Sequence, residues 1–266
     1  MSRRRRQAKK KSNFIGMLLI LASIIVVVSV GWVFIEKKST AVEIDEITNC
    51  PVEGANSISA IYIDTTDSLS RDQSLFITRT LTKLISGSEK YDKFLIYFLT
   101  ENAEDLVSKL EVCNPGDGRN ASALTSNKRQ IEKRWQAQFM NKLSLAFANL
   151  KTAPEASRSP IIEGLKYVST DAFAGFDASS KRVLLVSDLL QHSNLVSHYK
   201  SDYGLEDEYF QKNIDNSLPY LENVAVEIFY VVRPENRMLQ TNKHIRFWEK
   251  VISRSGGYIN DLHMVK

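Results

Sequence analysis

The chain has 266 residues, 43% of them hydrophobic and 25% charged, with a formal net charge of +4. That length holds one large domain or two small ones, and the composition is that of a chain that buries a real core. The charge is uneven: residues 1–39 carry nine basic residues and one acid, Glu36, leaving 26 basic against 30 acidic residues beyond them, a net of −4. A mildly acidic body argues against nucleic-acid binding, which draws on a basic face.

Residues 1–13 are a basic tail containing Arg3 to Arg6 and Lys9 to Lys11. Phe14 to Ile35 then runs for 22 residues without a charge. As a helix it would extend about 33 Å, enough to cross the hydrocarbon layer. A cleaved signal peptide has a shorter apolar core and ends at a small-residue cleavage motif. This run is long and ends Gly-Trp-Val-Phe-Ile, which favours an uncleaved transmembrane signal-anchor. Seven basic residues precede it and only Lys37 and Lys38 follow closely. The N-terminus is therefore expected in the cytoplasm of a single-pass inner (plasma) membrane protein, with the body periplasmic or extracellular. The arginine run serves this topology, with nuclear targeting or nucleic-acid contact the lesser reading.

Residues 36–57 are polar, include Pro51 and Gly54, and read as a tether to a domain over 58–266. Cys50 and Cys113 both fall in the exported part, where an oxidising compartment permits them to pair; two free buried thiols are the other reading. They make no zinc site, since none of the four histidines lies at ligand spacing from them. Asn120-Ala121-Ser122 is a glycosylation sequon, relevant in a eukaryotic source.

From Ile58 onward, apolar strands alternate with amphipathic helices. Ile58–Ile63 predicts a strand leading into Asp64-Thr65-Thr66-Asp67-Ser68. Ser70 and Gln73 form a capping box for a helix with apolar Leu75, Phe76, Leu81, Leu84 and Ile85, ended by Gly87. Phe94–Leu99 is an uninterrupted apolar run, as in a strand covered on both faces. Leu106–Val112 is a shorter edge strand, and Asn114 to Arg119 is a loop rich in Gly and Pro. A long helix follows from about Asn127 to Leu150, with Ile131, Trp135, Phe139, Leu143, Ala146 and Leu150 at helical spacing, which makes Trp135 a core residue. Pro160 opens another helix. Arg182–Ser187 is a buried strand ending at Asp188, and Val224–Val232 is another, stopped by Pro234. Thr241–Ser253 is a helix, Gly256-Gly257 a break, and Tyr258–Val265 a last strand. This alternation predicts an α/β fold, a doubly wound and mainly parallel sheet with helices on both faces.

Ligands of such sheets bind beyond the carboxyl ends of the strands. Asp64, Thr66 and Ser68 follow the first strand, Ser159 precedes a helix, and Asp188 ends a later strand. Two carboxylates and three hydroxyls, with no thiolate or imidazole, suit a hard cation: Mg²⁺, or else Mn²⁺ or Ca²⁺. Helix capping by Asp64 to Ser68 and by Ser159 is the structural alternative.

At these residues the chain resembles the von Willebrand factor type A family and its metal-ion-dependent adhesion site. Asp64-x-Thr66-x-Ser68 looks like the family's Asp-x-Ser-x-Ser, Ser159-Pro160 like its later Thr position, and Asp188 like its final Asp. The resemblance covers about residues 58–265. It implies hydroxyls that bind the metal directly, carboxylates that act largely through water, and a partner protein whose Asp or Glu completes the coordination. It also implies an antiparallel third strand, which would bring Cys50 and Cys113 to the same end of the sheet, opposite the metal loops. Leu189-Leu190 stands where the family often has Gly, and the loop at 113–130 is long.

The expected function is therefore a membrane-anchored, metal-dependent binding or assembly module of the cell envelope, not an enzyme. A metal-dependent hydrolase using the same residues, or a metal-free structural subunit, are the alternatives. Asp64-x-Thr66 lacks the second acid of haloacid-dehalogenase-like phosphotransferases, and there is no Gly-rich phosphate loop. His192 and His198 are expected as solvated loop residues without a paired nucleophile. A helix-dipole role suffices for Glu163.

Overall fold

A computed structural model describes residues 16–32, 42–121, 126–148, 150, 156–176, 178–200 and 203–266. The chain divides into two compact units, Met1–Glu43 and Ile44–Lys266. In the first, residues 16–32 form one helix, α1, whose Met17, Leu19, Ile20, Val27 and Trp32 side chains are exposed. No helix among the described residues is long and apolar enough to cross a membrane. The basic tail and both ends of the predicted anchor, residues 14–15 and 33–35, lie outside the described residues.

The second unit is a six-stranded sheet in the order β3-β2-β1-β4-β5-β6. Its strands are β1 (Ser57–Asp64), β2 (Lys93–Leu99), β3 (Ser108–Cys113), β4 (Ser180–Ser187), β5 (Val224–Val231) and β6 (Tyr258–Val265). All neighbours are parallel except β2 and β3. The expected α/β class and the antiparallel third strand are both observed. β3 begins at Ser108 rather than Leu106, because a short 3-10 turn at Ala103–Asp105 occupies the chain just before it.

The period-2 alternation of the strands builds two cores, one on each face. Ala60, Tyr62, Val183, Leu185, Ile228 and Tyr230 face one side. There they pack under α5 (Ile161–Phe173), α6 (Asp207–Asn213) and α7 (Asn242–Arg254). Ile61, Ile63, Phe94, Ile96, Leu184 and Val186 face the other. They pack under α2 (Arg71–Ser86) and the segment α3 (Lys128–Trp135) to α4 (Asn141–Phe147).

The Ser70–Gln73 capping box forms as expected. The buried stripe of α2, however, is Ser74, Ile77, Leu81 and Ile85, and Phe76 is 44% exposed. Spacings of three and four from Ser74 select this face and turn Phe76 outward. The predicted long helix is interrupted by a π turn at Gln136–Met140, which turns both Phe139 and Met140 inward. Trp135 is only half-buried, and its indole donates to Asn114 Oδ1 at 3.0 Å, so it belongs to the rim of the core.

The Cys50–Cys113 disulfide is formed, with Cα atoms 4.8 Å apart. It joins the segment before β1 to the end of β3, at the end of the sheet opposite the carboxyl ends of the parallel strands. The bridge between Ile44 and Pro51 and the bond from Cys113 N–H to Thr48 O fasten the same segment. A stable disulfide is characteristic of an oxidising, extracytoplasmic compartment.

Gly164 brings α5 against β1. A Cβ there would overlap the Tyr62 hydroxyl and press on Leu99 Cδ1. Without it, Tyr62 donates to Ile161 O at 3.2 Å, and the start of α5 lies beside the end of β1.

Candidate functional site

The register of the sheet sets the site. Ile63 pairs with Val186, and Ser187 with Tyr230, so Asp64, Ser187–Asp188 and the residues after Val231 emerge side by side at the carboxyl ends of β1, β4 and β5. Asp64 is 7% and Asp188 3% exposed.

Asp64 Oδ1 accepts from Thr66 N (3.0 Å) and Thr66 Oγ1 (2.6 Å), closing a tight turn around the carboxylate. Asp64 Oδ2 accepts from Ser187 Oγ (2.7 Å) and Ser159 Oγ (3.2 Å). Ser159 is held by a two-way backbone bridge to His192 at 2.9 Å each way. Ser159 does not cap α5: Pro160 is the cap residue, and the Gln191 amide oxygen accepts from Ile162 N at 2.9 Å. Gln191 Nε2 in turn donates to Glu163 Oε2 at 2.8 Å. Nor do Asp64 to Ser68 cap α2, since Ser70 does. The hydroxyls are therefore directed at a carboxylate.

Asp188 Oδ1 accepts from Leu190 N at 2.9 Å, and Oδ2 takes an ion pair from Arg233 Nε at 3.0 Å. Burial, with the Asp64 charge beside it, pushes the Asp188 carboxyl upward, against the opposing pull of Arg233. Arg233 Nη1 also donates to the carbonyl of Ser68 at 2.5 Å. The Ser68 side chain is exposed. Asp64 and Asp188 thus stand at the carboxyl ends of β1 and β4, the Thr66 and Ser159 hydroxyls reach Asp64, and Ser68 joins by its backbone carbonyl alone, through Arg233.

Ser187, Gln191, Arg233 and Gln240 were not singled out in the sequence. Ser187 and Arg233 carried a usable signal, being the last residue of one strand and the second residue past the next. Gln240 is a positioning residue: its Nε2 donates to Asp188 O (3.1 Å) and Val231 O (2.8 Å), while Oε1 accepts from Arg233 N (2.7 Å).

His198 is not a solvated loop histidine. It is 1% exposed, with its ring centroid 4.6–4.7 Å from those of Tyr203, His244 and Phe247. Its Nδ1 lies 3.1 Å from Leu189 O, which also takes His244 Nε2 and Trp248 Nε1 at 2.8 Å each. Burial holds both rings neutral, with His198 lowered to about 3 and His244 to about 4. His192 is half-buried, its Nδ1 2.9 Å from Ser197 Oγ.

The donor set fits a hard cation in kind: carboxylate and hydroxyl oxygens, with two buried carboxyl groups and one guanidinium paired to one of them. Among the described residues Asp64 has no ion-pair partner. A depression of about 220 Å³, lined by Thr66, Asp67, Ser157, Arg158, Ser159, His192 and Tyr199, opens over the Asp64 side.

The sheet order and its antiparallel edge strand are the doubly wound α/β arrangement that the sequence resemblance implied. No protein-family model and no curated protein matches the sequence. Among solved structures, the chain is similar to an aerotolerance-related membrane protein from Bacteroides fragilis, at 12% identity and a TM-score of 0.38, over 79% of this chain and 92% of that one. It is similar to the ArnB paralog VWA2 from Sulfolobus acidocaldarius, at 14% identity and a TM-score of 0.40, over 78% of this chain and 42% of that one. It is also similar to the PilB minor pilin from Streptococcus sanguinis, at 10% identity and a TM-score of 0.45, over 82% of this chain and 59% of that one.

Proposed function

We propose that this chain is a membrane-anchored binding module in which Asp64, Thr66, Ser68, Ser159 and Asp188 hold a divalent cation, Mg²⁺ or else Mn²⁺ or Ca²⁺, for engagement of a partner protein in the cell envelope. The observation that carries it is the convergence of two buried carboxylates with the Thr66, Ser159 and Ser187 hydroxyls at the carboxyl ends of β1 and β4, with the exposed Ser68 on the same loop as Thr66. Burying two carboxylates together is costly without cations to offset them. When bound, the ion would supply an open coordination position for a partner's Asp or Glu. The chain's own residues orient Asp64 through Thr66, Ser159 and Ser187, and fix Asp188 through the Leu190 amide. The reading is a binder rather than an enzyme.

The anchor belongs to the same proposal: Phe14 to Ile35 would span the inner (plasma) membrane, with residues 1–13 in the cytoplasm and the disulfide-closed domain periplasmic or extracellular.

A second reading, a metal-free structural subunit, is favoured by one observation: Arg233 already supplies a cation to Asp188. Thermal unfolding of the full-length chain in detergent micelles separates the two. With Mg²⁺ or Mn²⁺ at a hundredfold over the dissociation constant, specific binding stabilises by about 2.7 kcal/mol. That gain should be present in the intact chain, reversed by chelator and absent from Asp64→Ala. No gain in the intact chain would leave the metal-free subunit. Turnover of phosphoesters by the metal-loaded chain would instead support a hydrolase.

A further inference from the structure

We infer that Arg233 is a built-in counter-cation that competes with a divalent ion for Asp188, so that loading the site requires the guanidinium to leave this carboxylate. The inference rests on the proposed metal site and names the residue that sets its threshold.

The geometry makes Arg233 a positioned group rather than a chance neighbour. It enters from β5, the strand beside β4, and its backbone N–H is held by Gln240 Oε1 at 2.7 Å. Gln240 reaches the Asp188 carbonyl from the same amide, at 3.1 Å, so one side chain clamps both partners of the ion pair. The guanidinium then divides its donors between Asp188 Oδ2 at 3.0 Å and the carbonyl of Ser68 at 2.5 Å, so it bridges the two loops that the metal would also join. Its side chain is 12% and that of Asp188 3% exposed, so water screens the pair poorly. Arginine suits this place, because its charge is permanent, delocalised and weakly hydrated.

The geometry gives competition rather than cooperation. Asp188 Oδ2 is taken by the guanidinium and Oδ1 by the Leu190 amide, so an ion reaching this carboxylate meets a cation already on it, and the two like charges repel even with Asp64 and Asp67 nearby. The displaced arginine has somewhere to go. A groove of about 590 Å³ beside it is lined by Arg233 itself, Ser68, Gln73 and Pro234, and by one carboxylate, Glu235, and one further cation, Lys266. The site cluster thus lies between two depressions, one on the Asp64 side and one that can receive the arginine. Such a domain stays folded without metal and admits it only above a set concentration.

The test compares the intact full-length chain with Arg233→Gln and Arg233→Lys in detergent. Thermal unfolding is followed across a Mn²⁺ series and in chelator. Arg233→Gln should melt below the intact chain in chelator and need about tenfold less Mn²⁺, or less still, for half of its stabilisation. Arg233→Lys, which keeps the charge but not the two-pronged contact, should need an amount of Mn²⁺ between those of Arg233→Gln and the intact chain. If Mn²⁺ stabilises Arg233→Gln but not the intact chain, the counter-cation inference stands and metal dependence of the natural protein fails. If Mn²⁺ stabilises the intact chain and Arg233→Gln equally, the metal site stands and the inference is overturned. Should Arg233→Gln fail to fold in chelator, recovery with Mn²⁺ supports the inference, and failure with saturating Mn²⁺ overturns it.

Discussion

The backbone carbonyl of Leu189 accepts the indole N–H of Trp248 at 2.8 Å. Leu189 is a non-glycine residue at φ 62°, in the left-handed region, where a side chain costs roughly 1–2 kcal/mol. Three donors, from His198, His244 and Trp248, converge on the carbonyl that this conformation turns inward. The resembling family often has Gly in this stretch; here a leucine is kept, and its own side chain is buried at 1% exposure. The peptide bearing Asp188 is thereby tied to α7. Trp248→Phe removes one donor and leaves a small void, and should cost about 2 kcal/mol. Thermal unfolding with near-UV circular dichroism measures it, and an unchanged midpoint would remove the indole from this role.

Stability should fall as pH falls below neutral. His198 and His244 have folded pKa values of about 3 and about 4, well below the ordinary 6.5, so the unfolded chain binds two more protons than the folded one at about pH 5. Their contribution is complete above pH 6.5 and is lost as pH drops towards 4. Asp188 is shifted the other way: raised in the fold, it favours the folded state at lower pH and offsets one of the two protons. The net slope is about 1.4 kcal/mol per pH unit between roughly pH 6 and pH 4.5. Melting at pH 5 and pH 7 tests it, with His244→Gln expected to flatten the slope. A midpoint that rises on acidification would contradict the assignment.

Gly164→Ala should destabilise the domain by about 1–3 kcal/mol, because the added methyl meets the Tyr62 hydroxyl. Removing that hydroxyl makes room, so Tyr62→Phe with Gly164→Ala should lose less than the two single changes together. The cycle reads the α5–β1 approach that carries Ser159 to Asp64. Strict additivity would show that this approach is not limiting.

Reduction, or Cys50→Ser with Cys113→Ser, opens a loop with a sequence separation of 63 residues. The chain-entropy account gives a loss of about 4 kcal/mol, or roughly 10 °C in melting midpoint for a domain of this size. Divalent binding should survive at temperatures where the fold does, because the disulfide and the site stand at opposite ends of the sheet.

Much of this was legible in the chain itself. Apolar runs at Phe94–Leu99 and Arg182–Ser187 can only be strands buried on both faces, and Ser70 with Gln73 fixes a helix start from four residues. These are local physical preferences, so sequence determines them, and it also determined that Asp64 and Asp188 stand at the carboxyl ends of parallel strands. What only the tertiary structure decided is who meets whom across that edge. Arg233 lies 45 residues from Asp188 and Ser159 lies 95 from Asp64, and no local pattern encodes either contact. The burial of His198 needed aromatic side chains from a helix some 50 residues away, and the outward turn of Phe76 needed the phase of α2 against the sheet. A cluster of opposed charges and hydroxyls is a product of strand register. Composition supplies the groups, but only the register sets their distances, and with them the strength of each pairing.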